Sequence, residues 1–222
     1  MIHASVNDGG RPGYFGLYPA IVTDLQDPER LGRVEVKFPW LSTEGEQEVR
    51  AWATLLSPYA DSGQGLQILP EVDSQVVVGF EAGDTRRPYV VGSCWNGKEP
   101  MPVEAEKANN KRVIKTRSQS ELEFDDTEGA PKITLTTSAG HKLVLDEGNG
   151  EISLTHANGC IIKMTMAGQI EIQANATVDI TASALNVHAG VANFDGIINC
   201  ATLIAKSAVV SPSYTPGAGN VW

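Results

Sequence analysis

Aromatic side chains make up only 6% of the 222 residues, and 17 Lys and Arg are outnumbered by 27 Asp and Glu. The first shortage means that any core is assembled from small and β-branched side chains. The second leaves a net charge of −10 and excludes a nucleic-acid partner, because binding a phosphate backbone needs a basic face. Cysteine is sparse too. Cys94, Cys160 and Cys200 are far apart and follow no C-x-x-C spacing, so buried free thiols from a reducing compartment are expected rather than a disulfide or metal framework. No apolar run approaches the ~20 residues of a membrane-spanning helix. The opening stretch MIHASVNDGGRPGYFG has neither a basic nor an apolar block, so no signal peptide is expected. A helical apolar stripe is also missing throughout.

What the sequence does contain falls into two grammars. From residue 14 to about 97, short apolar runs such as YPAIV, GRVEVKF, VRAWATLL, SQVVVGF and PYVVGS are separated by Pro, Gly, Asp and Ser. That spacing predicts five or six strands in a small barrel or sandwich. Trp40, Trp52 and Trp95 are expected in its core, and the acidic run Glu44 to Glu48 in a solvated loop. A charged, Pro- and Asn-bearing linker follows.

From about Ser120 the sequence repeats. SELEFDDTEGAPKITLTTSAG (120–140) aligns with HKLVLDEGNGEISLTHANG (141–159), and a third unit opens at Cys160. Ser120 matches His141, Leu122 matches Leu143, Phe124 matches Leu145, and each unit closes on a Gly. Repeats of about twenty residues indicate stacked units that cannot bury their apolar faces alone. The third unit runs into GQIEIQANATVDITASALNVHAG. There Ile170, Ile172, Ala174, Ala176, Val178, Ile180, Ala182 and Ala184 alternate with polar residues; after a one-residue phase flip Leu185 and Val187 take over. Sixteen alternating residues (169–184) would span roughly 50 Å, well beyond an ordinary strand. Identical chains wound about a common axis would accommodate such a strand, with these ten side chains as the trimer core and small Ala residues fitting a narrow axis.

The segment from Ile21 to Pro102 carries five ordered motifs: D-P-x-x-L-G-R-V at Asp27 to Val34, F-P-W at Phe38 to Trp40, L-P-E-V at Leu69 to Val72, G-D-x-x-R-P at Gly83 to Pro88, and V-V-G-S-x-x-N-G at Val90 to Gly97. In these it resembles the OB-fold domain of contractile-tail spikes, the phage baseplate assembly protein V group and the VgrG-type proteins of type VI and extracellular injection systems. The resemblance implies an all-β chain, a small OB-fold barrel followed by an intertwined trimeric β-helix needle. The expected boundaries are an N-terminal arm at 1–17, the OB-fold at 18–97, a linker at 98–117, the triple-stranded β-helix at 118–210 and a tip segment at 211–222. It also implies a mechanical role, piercing a target envelope as a homotrimer, with no cofactor. Its partners would be a separate hub protein at the OB-fold end and a PAAR-type tip protein at the other. The expected location is a virion tail baseplate or extracellular injection particle, assembled in the producing cell's cytoplasm. Tyr214 and Trp222, in a Pro- and Gly-rich ending that cannot continue a ladder, are expected to make or support the tip.

Chemistry is weakly represented. No G-x-S-x-G elbow, H-E-x-x-H or P-loop is present, so an enzyme is not expected. His188 is the one candidate metal ligand, since threefold symmetry would gather three copies, but its phase next to Val187 points it outward. Asp125-Asp126 and Asp146-Glu147 lie in turns, where carboxylates cap backbone amides, and are read that way rather than as Ca²⁺ ligands. Two other classes compete with the spike. A tailspike-like polysaccharide-degrading β-helix would need paired carboxylates, whereas Glu171 and Asp179 stand singly. An OB-fold single-stranded nucleic-acid binder would need a basic groove with stacking aromatics.

Overall fold

A computed structural model of the chain describes residues 5–6, 12–41 and 47–211. Two short strands, β1 (Ser5–Val6) and β2 (Pro12–Gly13), pair antiparallel ahead of the first large element. Strands β3 (Leu17–Asp24), β4 (Arg33–Lys37) and β5 (Arg50–Leu55) follow, then the small hairpin β6 (Ala60–Asp61) and β7 (Gln64–Gly65). After β8 (Gln75–Phe80) comes a single 3₁₀ turn, Glu81–Gly83, and then β9 (Pro88–Ser93). The five longer strands close a barrel in the order β3-β4-β5-β9-β8, with β8 returning to β3. Only β5 and β9 run parallel; closure leaves no free sheet edge.

The barrel closes because period-two patterning turns one side of each strand inward. On β4 Val34 and Val36 are buried, and on β8 Val76, Val78 and Phe80. The largest fully buried side chains are all valines, Val22, Val34, Val36, Val76, Val78 and Val90, as the aromatic shortage requires. Five of the aromatics form one cluster. Tyr18 stacks on Trp40 at 4.9 Å between ring centroids, with Tyr14, Phe38 and Phe80 around them, and the Trp40 indole N–H donates to the Pro19 carbonyl at 2.8 Å. Trp40 therefore packs against the core, but the other two tryptophans do not. Trp52 is half-buried, with the Arg33 guanidinium 5.9 Å from its ring, and Trp95 is 66% exposed.

Past the barrel the chain forms one seven-stranded antiparallel meander in strict sequence order. Its strands are β10 (Lys111–Lys115), β11 (Glu121–Asp125), β12 (Lys132–Thr136), β13 (Lys142–Asp146), β14 (Glu151–Thr155), β15 (Ile161–Thr165) and β16 (Ile170–Gln173). Lys111–Lys115, in the expected linker, is a strand, and the repeats that follow pair with one another within the chain. The reason lies in their turns: Thr137–His141, His156–Cys160 and Thr165–Gln169 each close a tight loop with Gly140, Gly159 or Gly168 in the left-handed region. Each strand thus finds its hydrogen-bonding neighbour a few residues away and needs no second chain for it.

The last described residues, 176–211, belong to a separate unit that forms no strand and leaves every residue exposed. The sixteen-residue strand expected from 169 to 184 is therefore a strand only at Ile170–Gln173 in the single chain. No turn-forming Gly or Pro occurs between Gly168 and Gly190, so this stretch cannot supply its own neighbour. The thiols also differ from expectation: all three are free, but Cys94 and Cys200 are exposed and Cys160 is half-buried.

Candidate functional site

Directly opposed residues of an antiparallel ladder share a face, so the register sorts the meander into two unlike sides. One row runs Arg112, Phe124, Ile133, Leu145, Ile152, Met164 and Ile170; the next runs Ile114, Leu122, Leu135, Leu143, Leu154, Ile162 and Ile172. Apart from Arg112 at the start, both rows are apolar. Most of these side chains are open to solvent in one chain, from 38% for Ile133 to 70% for Ile170. Arg112 closes its row on local acceptors, donating to the Asp126 carboxylate at 2.7 Å and the Asn109 carbonyl at 3.0 Å.

The opposite side is mostly charged and hydroxylated, with Val113, Val144 and Ile161 among those residues, and its charges are matched across strands. Lys111 meets Glu123 at 3.0 Å, Lys115 meets Glu121 at 3.3 Å, and Lys163 meets Glu151 at 3.4 Å. Lys132 stands in register with both Asp125 and Asp146. The two sides therefore differ in chemistry: one carries cross-strand ion pairs and hydroxyls, the other two apolar rows. A contiguous apolar face of this length is unusual on a monomer and marks an interaction surface.

The carboxylates singled out in the turns have local partners. Asp125 accepts from the Thr127 hydroxyl at 2.6 Å and its N–H at 3.0 Å, which holds its carboxyl below the ordinary range. Asp146 accepts from the Asn149 N–H at 2.9 Å and side-chain amide at 3.0 Å, with the same effect. These are turn caps. Among the described residues no group of three or more His, Cys, Asp or Glu stands together as metal ligands, and His188 is exposed in the strandless unit.

Of the ten side chains expected to form a trimer core, Ile170 and Ile172 continue the two apolar rows on β16. The other eight, Ala174, Ala176, Val178, Ile180, Ala182, Ala184, Leu185 and Val187, lie on no ladder here. Tyr214 and Trp222 fall outside the described residues. Sequence reading did not include the rows from Ile114 to Met164 in that set. Their signal was legible in the repeat alignment, since Leu122, Leu143 and Ile162 recur at one position and Phe124, Leu145 and Met164 at another.

Comparison with known proteins bears on the barrel. Residues 18–95 match the family model for the type VI secretion system/phage-baseplate injector OB domain. The chain is also similar to the type VI secretion system spike protein VgrG4b of Pseudomonas aeruginosa, 30% identical over 134 residues, covering 55% of this chain and 17% of that protein. It is 25% identical over 130 residues to the type VI secretion system spike protein VgrG3 of Vibrio cholerae, covering 56% and 13%. Over 110 residues it is 27% identical to the actin cross-linking toxin VgrG1 of Vibrio cholerae, covering 47% and 10%. The chain thus spans a small part of each relative. The resemblance to baseplate and VgrG-type spikes, read from the five motifs, holds for the barrel, and the all-β fold holds with it.

Proposed function

We propose that this chain is the central spike of a contractile phage tail baseplate or a related contractile injection system, acting mechanically as a homotrimer. The observation that carries the reading is the apolar face of the meander, two rows deep across seven strands and uncovered in the single chain. Three such faces turned toward one axis would bury one another and leave the paired charges of the opposite sides in water. The match of the barrel to an injector OB domain supports the same reading.

Beyond β16 the proposed core continues through Ala174, Ala176, Val178, Ile180, Ala182 and Ala184, then Leu185 and Val187 after the phase flip. Here each chain would find its strand neighbours in the other two copies. Backbone hydrogen bonds running the length of such a shaft must shear together, and that resists the axial load of sheath contraction. A role of this kind needs shape and stiffness, not a catalytic constellation or a cofactor. The partners in this proposal are a hub protein at the barrel end, a PAAR-type tip protein near Tyr214 and Trp222, and the target envelope, met transiently. With a net charge of −10, nucleic acid is not among them.

Particles assembled with the unaltered chain should permeabilise target-cell envelopes. Particles assembled with Leu143→Glu and Ile152→Glu, which place charges on the apolar face, should lack the spike and lose that activity. Full permeabilisation by particles without a spike would refute the proposal.

A further inference from the structure

The meander has two outer edges, β10 and β16, and each hairpin fixes which backbone groups face them. The Thr165 N–H donates to the Gln169 carbonyl at 3.0 Å, so on β16 the alternate residues Glu171 and Gln173 bond to β15. The N–H and C=O groups of Ile170 and Ile172 therefore point away from β15. At the other edge the Thr116 N–H donates to the Ser120 carbonyl at 2.9 Å, which turns the backbone of Lys111, Val113 and Lys115 outward. Among the described residues no strand pairs with either outer side.

The two edges differ in chemistry. β10 has the character of an edge kept from pairing, with Lys111, Arg112 and Lys115 making three cations in five residues. β16 has no such defence: IEIQ holds one charge, Glu171, and no Pro or Gly ends it. The strand stops at Gln173 for want of an opposite residue, because β15 begins at Ile161 and the chain before it is a turn. Asn175 meets only that turn, its side-chain amide donating to the Asn158 carbonyl. From 176 to 184 apolar and polar residues go on alternating without a ladder, and Asp179 is the one charge. Each copy thus holds one open edge and one strand-patterned stretch without a neighbour. These are two different surfaces, so joining them runs from copy to copy in one direction and closes in a ring.

We infer that the outer edge of β16 takes the 176–184 stretch of a second copy of this chain as its next strand, and that β10 takes none. This rests on the homotrimer proposed above. Main-chain hydrogen bonds to Ile170 and Ile172 make the join. Its phase is set by the side chains, with Ala176, Val178 and Ile180 on the same side as Ile170 and Ile172.

Proline tests which amides are used, because it removes one N–H. At 172 that N–H faces outward, so Ile172→Pro leaves the bonds to β15 in place. Ile172→Ala removes the same apolar side chain and keeps the N–H. Concentration-dependent light scattering on the full chain should give a trimer association constant at least about tenfold lower for Ile172→Pro than for Ile172→Ala. Val113→Pro on β10 should leave it unchanged. Equal constants for the two Ile172 variants would overturn the inference and leave the trimer standing. A single-chain mass for the unaltered protein would refute the trimer and the inference together. Residue-resolved amide hydrogen exchange needs no variant: in the unaltered chain Ile170 and Ile172 should be as protected as Glu171, with Lys111, Val113 and Lys115 exchanging fast. Fast exchange at Ile170 and Ile172 in the trimer would overturn the inference, as would protection that arises only when a different protein is bound.

Discussion

Asp27 shows how much one side chain can organise. Its carboxylate accepts from the N–H groups of Glu29 at 3.0 Å and Leu31 at 2.8 Å and forms two contacts with the Arg33 guanidinium, at 2.7 and 3.0 Å. The Arg33 hydrogen bonds, then those backbone amides, hold the carboxyl well below the usual range. The D-P-x-x-L-G-R-V motif was legible as a turn, with Gly32 at φ +74°. The ion pair that clasps it was not, because nothing in the spacing says which of the nearby charges folds back. Asp84, held by Arg86, is lowered to about 2. A depressed carboxyl stabilises the fold above its unfolded value and loses that contribution as pH falls through its folded one. Asp84→Asn should therefore lower the denaturant midpoint at pH 7, and the gap to the unaltered chain should close between pH 4 and about 2. An equal gap at both ends of that range would contradict the assignment. In the barrel core, Val36→Ala removes a fully buried side chain and should cost about 2 kcal/mol by equilibrium unfolding.

At the scale of elements, the hairpin turns decide what a repeat becomes. Thr116–Ser120 has the same hydrogen bonds as Thr137–His141 and His156–Cys160, but Gln119 at φ 68° stands where the others have Gly. Gly159→Ala places a Cβ at φ +94° and should cost about 1 kcal/mol, whereas Gln119→Gly should be neutral or better. Chemical denaturation of both variants checks this; equal effects would mean the turns are not equivalent. The strands, the repeat and the closing glycines were all readable from alternation and spacing. Which strand each one pairs with was not readable, because a Gly-closed turn reads the same whether the next strand returns to its own chain or follows a neighbour. The isolated stretch after Asn175 shows the other outcome: alternation without turns leaves a chain with no ladder of its own.

At the scale of the molecule, the barrel was recognisable because five motifs occur in order, each tied to a turn or core position. The sheet's apolar side was visible in the repeat alignment, where Leu122, Leu143 and Ile162 recur, but its continuity across all seven strands from Ile114 to Ile172 needs the register. A chain that leaves Ile133, Leu143, Leu145, Ile152 and Leu154 in water should associate, and Leu145→Asp should prevent it while leaving the barrel folded. The most direct measurement is the solution mass of the unaltered full chain by light scattering at micromolar concentration. The account predicts three times the 23.7 kDa chain mass. A single-chain mass with the meander still ordered by amide hydrogen exchange would contradict it.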